Sequence, residues 1–174
     1  MKRICTFMLS ALALPLSLSA QTTTPPTGYK MVWSDEFNGT SLNTKVWNIE
    51  ENGNGGGNQE LQYYRKENVA VKDGNLVLTA RRESYNNKQF TSGRINSRDK
   101  AYFKHGIIQA RIKFPKTANG VWPAYWMMGN DYGKLGWPRC GEIDIVETGN
   151  AEGIKNGTQT RHFGATLPVS YTHL

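Results

Sequence analysis

At 174 residues the chain has room for one domain behind a short leader, and its two cysteines exclude a disulfide framework, because Cys5 sits in that leader and Cys140 is left alone. A Cys-based metal centre is excluded on the same count. The formal charge of +7 becomes +5 without Lys2 and Arg3. The remaining excess is scattered among acidic residues, the pattern of a solvated surface and not of a nucleic-acid-binding stripe.

Residues 1–20 open with Lys2 and Arg3, continue through an apolar stretch from Ile4 to Leu18, and close on the small residues Ser19 and Ala20. This is the build of a cleaved secretory signal peptide, so the mature protein is expected to be secreted or periplasmic. The apolar run is shorter than the ~20 residues a membrane span needs, so no span is expected after cleavage. Residues 21–28 (QTTTPPTG) read as a linker rich in Thr and Pro.

From Tyr29 onward the texture is all-β: short runs of β-branched and aromatic residues alternate with clusters of Gly, Asn and Pro. ENGNGGGNQELQYYRKEN (51–68) has the Gly and Asn content of a loop with unusual backbone angles. NLVLTARR (75–82) follows the turn signal Asp73-Gly74 as a strand. HGIIQARIKF (105–114) alternates, with Ile108, Ala110, Ile112 and Phe114 on one face, and is expected to be a strand burying that face. These elements predict a jelly-roll β-sandwich of the concanavalin A-like kind, two antiparallel sheets with one polar, groove-lining face. The chain stops at PVSYTHL without a closing strand, so the sandwich is expected to be incomplete at the C-terminus, with strand edges unpaired.

The run GEIDIVETG carries the chemistry. If Ile143 and Ile145 point to the core, Glu142 and Asp144 share the other face. Strict alternation would then send Glu147 inward, a costly place for an unpaired carboxylate. One extra residue at Val146, a β-bulge, returns Glu147 to the face of Glu142 and Asp144. Glu142 and Glu147 are then four strand positions apart, about 13 Å at ~3.3 Å per residue. Side chains leaning roughly 4 Å toward each other would bring the carboxyls within about 5 Å, the separation of a retaining glycosidase pair. Asp144 between them would help raise the acid's pKa, because like charges resist full ionisation. The other reading of the strand is an acidic face that meets solvent or binds calcium.

WSDEFNG, NQELQYY, SGRINS, GVWPAYWMMG, GWPRCGEIDIVE and RHFG, in that order, resemble glycoside hydrolase family 16, and within it the laminarinase-like endo-β-1,3-glucanases. The resemblance implies a jelly roll with its substrate cleft on the concave sheet. It makes 29–167 the N-terminal part of the catalytic domain and 168–174 a doubtful tail. It implies Glu142 as nucleophile, Asp144 as its assistant and Glu147 as acid/base, in a retaining hydrolysis of β-1,3- or mixed β-1,3/1,4-glucan. The bulged spacing argues against a strict lichenase and leaves agarase-, porphyranase- or carrageenase-type activity open. A non-catalytic glucan-binding jelly roll is a further alternative, though such proteins tend to lack the Glu pair.

The same resemblance lends substrate contacts to Asn58, Arg94, Trp122, Trp126, Trp137 and His162. Indole faces can stack on sugar rings, and Asn and Arg suit hydroxyl-rich ligands. Against this stand core packing for each Trp, a turn role for Asn58, a surface role for Arg94 and a structural one for His162. Trp33 and Trp47 are assigned to the core. No cofactor is required for catalysis, and Glu36 lies where family members can hold a structural calcium. The expected partner is a β-glucan polysaccharide.

Overall fold

The computed structural model describes residues 24–116, 120–149, 151–157 and 163–166. The expected signal peptide 1–20, His162 and the expected tail 168–174 therefore lie outside the described residues. Among the described residues no helix is long and apolar enough to cross a membrane.

Strands dominate, as the texture predicts. In chain order they are β1 (Asn48–Ile49), β2 (Gln62–Tyr64), β3 (Val69–Lys72), β4 (Asn75–Leu78), β5 (Phe90–Ser92), β6 (Ile95–Asn96), β7 (Ala124–Met128), β8 (Glu142–Thr148) and β9 (Phe163–Thr166). Two short helices, α1 (Tyr132–Leu135) and α2 (Ala151–Lys155), flank β8 in sequence. The chain divides into two compact units, the first Met1–Thr44 with Ile49–Ile95, the second Lys45–Asn48 with Asn96–Leu174.

In the first unit, β3 and β4 form a hairpin in which Val69 faces Leu78 and Lys72 faces Asn75. Its two-residue turn is Asp73-Gly74, both with positive φ (52° and 70°), the backbone twist that joins antiparallel strands tightly. The strand expected over 75–82 is thus realised as Asn75–Leu78. β2 pairs parallel with β5, Tyr63 opposite Thr91. This strand corrects the reading of 51–68 as loop throughout. Gly55, Gly56 and Gly57 do carry positive φ, and the irregular backbone ends at Gln62. β1 pairs with β6.

The interior of this unit is held by a polar knot. Asn68 and Thr91 are each 1% exposed. Asn68 Nδ2 donates to the Thr79 carbonyl (2.7 Å) and to Thr91 Oγ1 (2.9 Å), and the Thr91 hydroxyl donates to Glu83 (2.6 Å). Buried donors are tolerated when paired in this way, although Asn68 Oδ1 is buried without a hydrogen-bond partner. Gly93 is required beside them, because a Cβ there would meet the Asn68 carbonyl oxygen at 2.5 Å.

The second unit is built on an antiparallel three-stranded sheet in the order β7-β8-β9. The strand expected over 105–114 does not form: these residues adopt no regular structure, and Ile108 and Ile112 are 39% and 42% exposed. A strand exists only where a neighbour takes up its N–H and C=O groups, and no described residue pairs with this segment. Ile143, expected in the core, is 43% exposed, and Trp33 is exposed as well. Val71, 9% exposed, is the one large hydrophobic residue among those described that is buried.

Candidate active site

The three acids lie together on β8, and the ladder with β7 fixes their faces. Met128 lies opposite Glu142, Trp126 opposite Asp144 and Ala124 opposite Glu147. Met128, Trp126 and Ala124 alternate along β7 and share one face, and residues paired across a ladder point the same way. Glu142, Asp144 and Glu147 are therefore on one face, although 144 and 147 differ by an odd number.

A register shift makes this possible. Tyr125 pairs with Val146 and Trp126 with Asp144, which leaves Ile145 as the extra residue against β7. Against β9, Asp144 pairs with Thr166 and Glu147 with Gly164, so three steps on β8 match two on β9. The bulge is where the alternation argument requires one, but by pairing with β7 it falls at Ile145, one residue before the expected Val146.

Asp144 is 5% exposed, and its buried Oδ1 has no hydrogen-bond partner. Glu142 and Glu147 are half-buried. Burial holds the Glu147 carboxyl above its ordinary pKa, and the negative charges of Asp144 and then Glu142 push it in the same direction. Glu142 accepts a short hydrogen bond from the indole of Trp137, Nε1 to Oε2 2.6 Å.

Two glycines let the sheet close around these acids. A Cβ on Gly129 would collide with the Cys140 carbonyl, and one on Gly149 (φ 79°) with the Val121 carbonyl. In their place Gly129 N–H donates to Gly141 O (2.9 Å), and Thr148 N–H to Pro123 O (3.1 Å). The first contact seats the turn 137–140 beside the start of β8. The second seats the Trp122 loop beside its end.

Of the tryptophans, Trp126 is half-buried on the acidic face, and Trp122 and Trp137 are 51% and 58% exposed. Core packing is thereby excluded for the last two.

Asn58 and Arg94 belong to the first unit. Asn58 is exposed in the glycine-rich loop, its N–H donating to Gly55 O (2.9 Å). Arg94 is no free surface arginine: its guanidinium pairs with Glu50 (3.1 Å) and Glu60 (3.9 Å) and lies over the Tyr64 ring, 5.4 Å from its centroid. Glu60 also accepts from the Tyr64 hydroxyl (2.6 Å) and from Gln62 (2.8 Å). Residue-by-residue reading passed over Glu60, Gln62 and Tyr64. Their spacing of two puts them on one face of the chain entering β2, and that alternation was the available signal.

Among the described residues no group of three or more His, Cys, Asp or Glu could hold a metal ion.

The model of the β-glucan synthesis-associated protein family SKN1/KRE6/Sbg1 matches residues 9–142. The chain belongs to glycoside hydrolase family 16. It is 39% identical over 173 residues to a glucan endo-1,3-β-glucosidase A1 of Niallia circulans, covering 89% of this chain and 25% of that one. It is 39% identical over 153 residues to a β-glucanase of Rhodothermus marinus, covering 84% and 53%. A Bacteroides ovatus family 16 structure, described as a mixed-linkage glucan protein in complex with a G4G4G3G product, superposes with a TM-score of 0.70 at 43% identity, over 79% of this chain and 56% of that one. The chain thus spans a quarter to about half the length of these relatives.

Proposed function

We propose that the protein is a secreted, retaining endo-glycosidase that hydrolyses β-1,3-glucan or mixed β-1,3/1,4-glucan. The observation that carries this reading is the bulge that gathers Glu142, Asp144 and Glu147 on one strand face, with Glu147 the acid whose pKa is raised. In the reaction, the Glu142 carboxylate attacks the anomeric carbon while the Glu147 carboxylic acid protonates the departing glycosidic oxygen. The Glu147 carboxylate then takes a proton from water, whose oxygen attacks the same carbon and releases Glu142.

Burial and neighbouring negative charge favour the protonated Glu147 that the first step needs. Asp144 supplies part of that charge. Trp122, Trp126 and Trp137 offer ring faces for sugar stacking, and Asn58, Arg94 and His162 offer polar contacts to hydroxyls. The chemistry needs no cofactor, and any calcium would be structural. The scaffold in this reading is a jelly-roll sandwich with the acids on its groove-lining face. The names of the relatives favour glucan over agar, porphyran or carrageenan as substrate.

Glu142→Gln and Glu147→Gln in the intact protein should each still bind laminarin while releasing reducing ends orders of magnitude more slowly. Near wild-type release by either variant would remove that residue from the mechanism. Parallel assays on laminarin, lichenan and agarose read the substrate class, and turnover of agarose alone would move the protein to the galactan-cleaving branch.

A further inference from the structure

Trp137 was singled out for the face of its ring, yet its most specific contact is made by its edge. The turn 137–140 is anchored at both ends, Cys140 N–H to Gly136 O (3.0 Å) and Gly141 N–H to Pro138 O (3.0 Å), and it is seated against β7 by the Gly129–Gly141 hydrogen bond. This anchoring points the indole N–H at Glu142, with Nε1 2.6 Å from Oε2. We propose that Trp137 is a positioning residue for Glu142: its N–H fixes one carboxylate oxygen and stabilises the negative charge. The inference rests on Glu142 acting as the nucleophile.

The physical case has three parts. Indole Nε1 can only donate, and a carboxylate oxygen accepts more strongly than the carbonyl of a protonated acid, so the bond favours the charged form of Glu142. A donor on a charged acceptor is among the stronger and shorter hydrogen bonds, and this one lies at the short end for an N–H donor. Fixing one oxygen also limits rotation of the carboxylate, which matters for a nucleophile that must meet one carbon along one line.

Glu142 shares its strand face with Asp144 and Glu147. The elements next to β8 carry Tyr125 on β7, on the opposite face, Tyr132 and Lys134 on α1, and Arg139 and Cys140 in the turn, and β9 carries none. Asp144 and Glu147 place negative charge on the same strand face, and the indole N–H is a donor that answers it at Glu142.

The test uses two variants of the intact protein, Trp137→Phe and semisynthetic replacement of Trp137 by β-(3-benzothienyl)alanine. The second keeps the size and face of indole and lacks its N–H. With laminarin, both are expected to lose roughly tenfold or more in kcat, with little change in KM for the benzothienyl variant and a higher KM for Trp137→Phe, which also gives up part of the stacking face; the acid limb of the kcat/KM profile should move up by about one pH unit. Oligosaccharide affinity, measured by titration in a Glu147→Gln background, should hold for the benzothienyl variant. An unmoved acid limb in that variant, or a rise in KM with kcat intact, overturns the proposal and leaves Trp137 as a stacking surface alone. Glu142→Gln is run alongside: if it turns over at the wild-type rate, the nucleophile assignment itself has failed.

Discussion

Burial, Asp144 and Glu142 together make Glu147 harder to ionise in the fold than in an unfolded chain. The native state therefore binds this proton more tightly, and the sign of its effect on stability follows. The contribution is fully present below the ordinary carboxylate pKa and is lost as pH rises through the raised native value. At neutral pH, Glu147 is a cost to the fold that a site can bear for the sake of its chemistry. Glu147→Gln removes the titration and keeps the shape. The intact variant should melt about a degree higher than wild type at pH 7, with the gap closing toward pH 4. Differential scanning fluorimetry across that range checks it, and a gap that widens toward acid would contradict the assigned direction. At this scale the sequence was informative about residue types and much less so about contacts. Glu142, Asp144 and Glu147 could be named because period-two alternation fails at a carboxylate. The salt bridges of Arg94 could not, because Glu50 and Glu60 lie more than thirty residues away and only folding brings them to it. The Trp137–Glu142 bond spans five residues, but it depends on a turn geometry that composition does not specify.

The bulge on β8 is what makes three acids usable as a set. A one-residue change of register sends every following side chain to the opposite face. Inserting one Ala between Val146 and Glu147 should keep Glu142 and Asp144 in place and turn Glu147 toward the other face. Activity of the intact insertion variant should fall at least roughly a hundredfold, as expected for a misplaced catalytic group. Its far-UV circular dichroism should stay near that of wild type, and retained activity would show that the register after the bulge does not place Glu147. The elements also show why some were legible. The β3–β4 hairpin was, because Asp73-Gly74 is a turn with its own chemistry, independent of the rest of the chain. The acidic strand was, to within a residue. Residues 105–114 alternate as cleanly as any strand here, but alternation specifies which face a strand would bury and supplies no neighbour for its backbone. Conversely, β2 was hidden within a segment whose glycines and asparagines dominate its composition.

For the chain as a whole, the balance between exposed and buried apolar side chains is the telling quantity. Ile107, Ile108, Ile112 and Ile143 are between 39% and 52% exposed, while Val71 alone among the described hydrophobic residues is buried. An interior of that kind gives little hydrophobic stabilisation, which grows with the apolar area removed from water. The best-buried groups are instead Asn68, Thr91 and Asp144, and polar pairs contribute modestly to net stability because water competes for the same bonds. The edges of the ladders add a second liability. Among the described residues β1–β6, β2–β5 and β3–β4 are two-stranded and are extended only by isolated bridges such as Asn52–Tyr64 and Arg81–Thr91, so their edges are incompletely covered and open to pairing with another chain. Both features lead to one expectation. The 174-residue chain expressed alone should bind a hydrophobic dye such as ANS strongly, unfold without a sharp transition, and grow beyond monomer size in light scattering as its concentration rises. A monodisperse, dye-silent monomer with cooperative melting would show that these apolar faces are covered in solution.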